Sequence, residues 1–445
     1  MGENTVVVVG AGLAGSECAL QLARRGVHVR LFEQRPVHQS PAHHTDRFAE
    51  LVCSNSLKST KPDTAAGLLK RELDQVGSVL LRVARECAVA AGGALAVDRD
   101  AFSAEVTRLV CSDPLIEVVR EEVEGVPEGP CVVAAGPLCS DALFDSLCGL
   151  VGGERMSFFD AAAPIVDADS VDRSVVFSQS RYEEGSEGDY LNCPMDRDEY
   201  DAFVGALLGA ERVVAKEFEQ SDLFCACQPI EEVARTGHDS IRFGALKPVG
   251  LTDPRTGRRP WAAVQLRAEN QSRAAFNLVG FQTNLTWPEQ RRVFRMIPGL
   301  EQAEFLRYGV MHRNSFVDSP HALDRTFRVP GTQVRLAGQI CGTEGYVEAI
   351  ASGMLAALNT FADLRSLPHA ELPATSSFGA LVAYATDPAT RDYQPMHVNF
   401  GIVPPLDGPC LKKAEKRAAL AQRARDDFDA WMASRPDLFV DRVSR

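Results

Sequence analysis

The sequence predicts an α/β fold, a parallel sheet packed by helices with a smaller α/β unit inserted into it, and three observations carry that expectation. First, the β-branched run Thr5 to Val9 leads into a glycine-rich turn, after which Ser16 to Arg25 repeats its apolar residues at helical spacing. Second, Val27 to Glu33 follows as another strand, which completes a β-α-β unit. Third, Val334 to Ala337 reads as a late strand and Gly345 to Ala357 as a helix whose Ala and Gly content lets it lie close to a sheet or a bound group.

The turn inside the first unit is Gly10-Ala11-Gly12-Leu13-Ala14-Gly15. Gly10 permits the tight bend, Gly12 lets a pyrophosphate approach the main chain, and Gly15 lets the helix pack closely, so that phosphates meet a helix N-terminus. Glu33 stands 18 residues after Gly15 at the end of the second strand, where a carboxylate accepts hydrogen bonds from ribose hydroxyls and favours a free 2′-hydroxyl. Taken alone this glycine pattern is weak and also fits a chance turn. Its position between a strand and a helix makes it a Rossmann-like nucleotide site.

Between these ends, a helical stretch is expected over Ala65 to Cys87, strand material over Leu115 to Val126, and a small apolar strand over Cys131 to Ala135 that stops at Gly136-Pro137. Polar Glu183 to Asp189 reads as a loop where a second unit begins, with Asp196 to Leu208 helical after it. Leu411 to Ser434 reads as a charged helical tail. The expected division is a nucleotide-binding domain in two parts, 1–185 and 276–445, around an insertion of 186–275. Val132-Val133-Ala134-Ala135-Gly136-Pro137 resembles the strand with which two-dinucleotide-type flavoproteins return to their FAD domain. Ala337-Gly338-Gln339-Ile340-Cys341-Gly342-Thr343-Glu344-Gly345-Tyr346 precedes a helix whose N-terminal dipole suits the pyrimidine end of a flavin; a plain strand-helix crossover is the alternative. Together these segments favour FAD over NAD and make Gly136, Gly338, Gly342 and Gly345 expected cofactor positions beside Gly10, Gly12, Gly15 and Glu33.

With 445 residues the chain exceeds one compact core and is expected to form two or three units. A 45% hydrophobic and 24% charged composition is ordinary for a globular protein, and no run of about 18 apolar residues is present to span a bilayer. Only Gly2, Glu3 and Asn4 precede the first apolar run after Met1, so a cytoplasmic location is expected, and the 12 cysteines are expected to be thiols. A net charge of −13 argues against non-specific adhesion to nucleic acid. The charge is uneven, however, with 13 Lys and Arg against 7 Asp and Glu between Arg242 and Arg325. Composition alone leaves that stretch as a solvated surface or as a basic face for a polyanion.

At His43-His44-Thr45-Asp46 and Glu50-Leu51-Val52-Cys53-Ser54-Asn55-Ser56-Leu57 the sequence closely resembles the folate- and FAD-dependent tRNA uracil-5-methyltransferases, the TrmFO family. The resemblance continues through Ala91 to Arg99, Tyr190 to Met195, Lys247 to Leu251, Asn277 to Thr283 and Tyr308 to Asn314, and ends beyond Gln394-Pro395-Met396, so it covers nearly the whole chain. Departures from the family pattern are small, at Cys225, Ala226, Cys341, Thr343 and His397.

The resemblance implies C5-methylation of a uridine in the tRNA T-loop, uridine 54, with 5,10-methylenetetrahydrofolate giving a methylene, FAD giving electrons, and NADH or NADPH re-reducing the flavin. Uracil C5 is a poor nucleophile, so such an enzyme adds a thiolate to C6 first. Cys227, in Cys227-Gln228-Pro229-Ile230-Glu231, matches the family's nucleophile, although an isolated cysteine is more often an inert core thiol. Cys53 matches the second functional cysteine and also fits a packed residue after a strand. Glu344 is expected to orient the flavin or a water, or else to cap the following helix. His43 and His44 are candidates for folate's anionic groups, with simple solvation as the alternative. No metal is expected: Cys225-Ala226-Cys227 lacks a second ligand pair. For RNA, Arg255, Arg258, Arg259, Arg291, Arg292 and Arg295 come first and Lys412, Lys413, Lys416 and Arg417 next. Competing readings are the same chemistry on ribosomal RNA, a flavin oxidoreductase that does not act on RNA, and a non-catalytic RNA-folding factor that keeps FAD.

Overall fold

Apolar strands alternate with helices at the start of the chain, and a parallel sheet is how such a sequence buries both faces of its strands. In a computed structural model, which describes residues 5–40, 42–153, 156–181, 188–213, 228–390, 393–408 and 411–439, five strands form that sheet in the order Val334–Leu336, Cys131–Val133, Thr5–Val9, His28–Phe32, Ile116–Val119. Every pairing is parallel, with Val7 opposite both Arg30 and Cys131 and Val334 opposite Cys131. The carboxyl ends of Thr5–Val9, Cys131–Val133 and Val334–Leu336 therefore lie side by side, and a fold of this kind takes its ligand beyond those ends.

A second sheet is antiparallel and six-stranded, in the order Phe177–Ser178, Tyr190–Met195, Ala262–Ala268, Ala275–Leu278, Ile165–Asp167, Phe305–Arg307. Its strands lie within the 186–275 span expected for the inserted unit and also on both sides of it. It carries its own hydrophobic core, including Phe203, Phe276, Phe281 and Phe294, separate from the core of the parallel sheet. A two-stranded ribbon, Met156–Ala161 against Met311–Phe316, leads into and out of this unit. A buried polar seam joins the two: Asn55 donates to the Ala268 carbonyl (2.9 Å), Arg267 donates to Asn55 Oδ1 (2.8 Å), and Arg99 pairs with Glu269.

Several expected elements change length for local reasons. The stretch Ala65 to Cys87 is two helices, Ala65–Gln75 and Val79–Glu86, because Gly77 turns the chain at φ +75° and the Ser78 side chain caps the second helix. Strand pairing over Leu115 to Val126 is confined to Ile116–Val119, the only part with a partner strand. The helix expected over Gly345 to Ala357 runs further, as Tyr346–Arg365, and is buried through Ala362. Asp196 caps the helix Arg197–Leu208 through a reciprocal bond with Glu199, close to the expected boundary. The charged tail is the helix Lys413–Ser434. Among the described residues no helix is long and apolar enough to cross a membrane.

Candidate active site

A cleft of about 250 Å³ opens at the carboxyl ends of the parallel strands. At one end the helix Leu13–Arg24 begins at Gly12 with no side chain capping its N-terminus. Its first-turn N–H groups are thus left for a ligand, and the helix dipole favours an anion there. A Cβ at Gly12 or at Gly136 would meet no atom within 4 Å, so the cleft has room beside both. Gly10 and Gly15 serve the backbone instead. Gly10 sits at φ +96° with a would-be Cβ 2.5 Å from the Ala134 carbonyl, and a Cβ at Gly15 would stand 1.8 Å from the Gly10 carbonyl. These features suit the pyrophosphate of a dinucleotide.

Glu33 lies where the ribose of such a ligand would reach. Its Oε2 accepts the Ala11 N–H at 3.0 Å, and its Oε1 accepts from the Arg35 main chain (3.1 Å) and guanidinium (2.9 Å). Burial opposes ionisation here, but the hydrogen bonds and charge of Arg35 outweigh it and hold the carboxyl below its ordinary value. Arg35 also reaches Glu50 (3.2 Å), which in turn takes the main-chain N–H groups of His44 and Thr45. His44 is exposed, while His43 is half-buried rather than simply solvated. Burial and the neighbouring Arg35 push it down to about 4, and its Nδ1 meets Ser40 Oγ at 2.5 Å, so at neutral pH it is an uncharged ring and a poor anion ligand.

At the other end the helix Tyr346–Arg365 also starts without a side-chain cap, at Gly345 with φ +117°. It crosses the first helix in near main-chain contact, since a Cβ at Gly353 would lie 2.1 Å from the Ala14 carbonyl. Gly12 and Gly345 both line the cleft, so two uncapped helix ends face one space.

Cys53 lines the same end, half-buried, and its position is fixed through its main chain. Tyr346 Oη accepts the N–H groups of Cys53 (2.9 Å) and Ser54 (3.2 Å), Arg99 donates to the Cys53 carbonyl (3.1 Å), and Arg307 donates to the Val52 carbonyl (2.8 Å). The thiol itself lies 3.6 Å from the Ala161 carbonyl. Glu344 faces the cleft beside Asp160 and is hydrogen-bonded by Gln339. Burial, then the charge of Asp160, push it up to about 8 against the pull of Lys58, so this carboxyl carries a proton at neutral pH. Lys58 pairs with buried Glu348 at 3.1 Å.

The structure thus gathers Gly10, Gly12, Glu33, Gly136, Gly338, Gly345, Cys53 and Glu344 around one cleft. Gly15 and Gly342 stand behind it; a Cβ at Gly342 would overlap the Tyr393 hydroxyl, 2.1 Å away. Cys225 and Cys227 lie outside the described residues. Just beyond them, Ile230 donates to the Gln282 carbonyl (2.7 Å), and buried Glu231 accepts from Thr283 (3.0 Å) and from the Asn284 N–H (2.6 Å). Among the described residues no three His, Cys, Asp or Glu side chains are grouped to hold a metal. Of the expected RNA-facing arginines, Arg255 pairs with Asp253 (2.9 Å), Arg292 with Glu289 (2.6 Å), and Arg295 bonds the Ala303 carbonyl (2.8 Å), while Arg258 and Arg259 are exposed. Tyr346, Arg99, Arg307, Asp160 and Lys58 were not singled out by sequence; only Arg35, two residues from Glu33, carried a local signal.

A family model described as glucose inhibited division protein A matches residues 5–368. A Geobacter sulfurreducens protein named methylenetetrahydrofolate--tRNA-(uracil-5-)-methyltransferase TrmFO is 54% identical over 433 residues, which cover 97% of this chain and 99% of that protein. A protein of the same name from Shouchella clausii is 50% identical over 431 residues, with 97% and 99% covered. Among solved structures, Aquifex aeolicus GidA is similar with a TM-score of 0.67 at 15% identity, over 98% of this chain and 75% of that one. At that identity the likeness speaks to the fold alone, α/β with a Rossmann-like parallel sheet.

Proposed function

This chain belongs to the glucose inhibited division protein A family and, within it, to the TrmFO family, and from that premise we propose that it methylates C5 of a tRNA uracil, uridine 54 of the T-loop, with carbon from 5,10-methylenetetrahydrofolate. FAD is the dinucleotide of the cleft, and when bound it supplies the electrons that turn a methylene into a methyl. NADH or NADPH is the reductant that restores it. In this reading the inserted unit is the antiparallel one that holds the strands from Ile165 to Arg307, wider than 186–275.

The single observation that carries this reading is the sharing of one cleft by two uncapped helix ends, Glu33, Cys53 and Glu344. The room beside Gly12 and Gly136 admits a pyrophosphate, and the N-terminus of Tyr346–Arg365 favours negative charge at a flavin's pyrimidine end. Cys227 is the nucleophile of the proposal: its thiolate adds to C6 of a uracil turned out of the RNA stack, which raises electron density at C5. Once C5 carries the new carbon, its proton leaves and the thiolate is expelled, so a proton acceptor is required nearby. Cys53 stands at the cleft with its main chain held by Tyr346 and Arg99, a placement that supports this role. Glu344, protonated at neutral pH, is the complementary group and donates a hydrogen bond to a ligand atom that gains charge.

The test is an assay of purified protein with FAD, an unmodified tRNA transcript, methylene-labelled folate and NADH or NADPH. Labelled 5-methyluridine in the T-loop, none from S-adenosylmethionine and none with Cys227→Ala are the expected results. Label from S-adenosylmethionine, or no transfer from folate, contradicts the reading, and label in ribosomal RNA alone moves the substrate. Arg258→Ala with Arg259→Ala is expected to weaken tRNA binding and reduce its salt slope by about 0.9 for each phosphate that is no longer neutralised; unchanged binding removes that loop from the interface.

A further inference from the structure

Away from the cleft, Phe305, Tyr308 and Trp287 form a ladder of nearly parallel rings. Tyr308 lies 5.2 Å from Phe305 at 16° and 5.4 Å from Trp287 at 15°. Offset stacking of this kind is one of the two geometries aromatic rings prefer; Phe281 and Phe294 use the other, edge to face at 78°. The ladder ends in solvent: Trp287 is 58% exposed. A large exposed aromatic at the end of a parallel stack offers a π-face on which another flat ring can stack.

The ladder is held rigidly. Buried Gln290 donates to the Leu285 and Gly309 carbonyls and accepts the Gly309 N–H, each at 2.8 Å, which ties the helix Trp287–Phe294 to the strand end at Tyr308. Arg291 donates to the Tyr308 hydroxyl at 2.8 Å and lies 5.9 Å from that ring's centre, so a cation stands beside the stack. The surrounding stretch, Arg242 to Arg325, holds 13 Lys and Arg against 7 Asp and Glu in a chain whose net charge is −13. Within that stretch Arg292 pairs with Glu289, and Arg291 is the cation placed at the stack; a flat face with a cation at its edge matches a base and the phosphate of a single-stranded or looped RNA.

The ladder is also close in sequence to the cleft wall. Arg307, next to Tyr308, holds the Val52 carbonyl beside Cys53, and Gly309 packs so tightly that a Cβ would lie 2.7 Å from the Ala162 carbonyl. From these observations we infer that Trp287 is the stacking platform for an unpaired base of the RNA substrate, which anchors the loop while another base enters the cleft. This rests on the proposed action on tRNA and adds where an unpaired base is held. It does not involve the phosphate-binding role assigned to Arg258 and Arg259.

The experiment compares flavin-loaded wild type, Trp287→Ala and Trp287→Phe for binding a T-arm stem-loop and a fully paired duplex of equal length. Trp287→Ala is expected to weaken stem-loop binding about tenfold, the size of one base-aromatic stack, with duplex binding and salt slope unchanged. Trp287→Phe is expected to restore most of the affinity and to abolish the intrinsic fluorescence quenching that the stem-loop causes in wild type, a readout that serves even if the alanine variant does not fold. Wild-type affinity in Trp287→Ala, while wild type methylates the same RNA, overturns the inference and leaves the tRNA reading intact. Wild type that neither binds nor methylates the stem-loop or whole tRNA overturns both. A changed sedimentation coefficient of Trp287→Ala without RNA, with stem-loop affinity intact, marks the ladder as a protein interface and also overturns the inference.

Discussion

Glu33 and Glu344 stand at opposite ends of one cleft and are held in opposite charge states. Both are buried. Glu33 has a guanidinium against it, and Arg35 keeps it ionised despite burial. Glu344 has Asp160 and Glu348 near it, and burial with this like charge outweighs Lys58 and the Gln339 hydrogen bond and keeps it protonated, at about 8. Identical side chains are therefore held in different states: one as an ionised hydrogen-bond acceptor, the other as a carboxyl that keeps its proton. The difference is set by partners that the fold delivers, since burial alone pushes both the same way.

The contrast between the two carboxyls breaks most severely at Arg35. Arg35→Met leaves a buried carboxylate without its cation and is expected to lower unfolding free energy by about 3–5 kcal/mol at neutral pH, read from denaturant titration. Because the folded-state value of Glu33 is depressed, its contribution is present above the unfolded value and is lost as pH falls through the folded one. The deficit of the variant must therefore shrink in acid; a pH-independent deficit would assign it to packing.

A smaller effect separates backbone packing from ligand space. Gly15→Ala forces a Cβ to within 1.8 Å of the Gly10 carbonyl and is expected to cost about 3 kcal/mol, the upper end for overpacking, because main chain has to move. Thermal unfolding of the variant without cofactor measures it, and an unchanged midpoint contradicts the packing role.

The effect that is smallest per step, because it accumulates only gradually with pH, sharpens the other end. With its folded value raised to about 8 from an ordinary 4.5, Glu344 makes the native state bind a proton that the unfolded chain releases, so stability falls as pH rises through that window. Glu344→Gln removes this contribution. The variant is expected to gain on wild type by at most about 1.4 kcal/mol per pH unit across the window and to match it in acid. Glu72, also raised to about 8 by burial, adds the same slope to both proteins and cancels in the difference. Parallel pH profiles would mean that Glu344 titrates like a solvated carboxyl.

Legibility followed the range of the interactions. Gly10, Gly12, Gly15 and Glu33 were readable because a tight turn, a helix start and a strand end are local events that leave a fixed spacing. The main-chain grip on Cys53 was not: Tyr346 reaches it across 293 residues, and Arg307 reaches Val52 across 255. The protonated state of Glu344 comes from burial and then from Asp160, which the ribbon Met156–Ala161 delivers and no spacing announces. The antiparallel sheet was not announced by the sequence, in part because Ile165–Asp167 and Phe305–Arg307 are three-residue strands, too short to show alternation. The break at Gly77 was local, yet apolar residues on both sides continue the helical period and conceal it.

The proposal that the cleft holds a flavin dinucleotide rests most directly on Gly12, whose φ of −71° suits any residue and whose absent Cβ would meet nothing in the protein. The deciding measurement is FAD titration of cofactor-free wild type and Gly12→Ala, with thermal unfolding of both. An unchanged unfolding midpoint with FAD affinity reduced about tenfold or more is the expected result, because the methyl group takes the pyrophosphate's space and nothing else. FAD bound as tightly by Gly12→Ala as by wild type would contradict it.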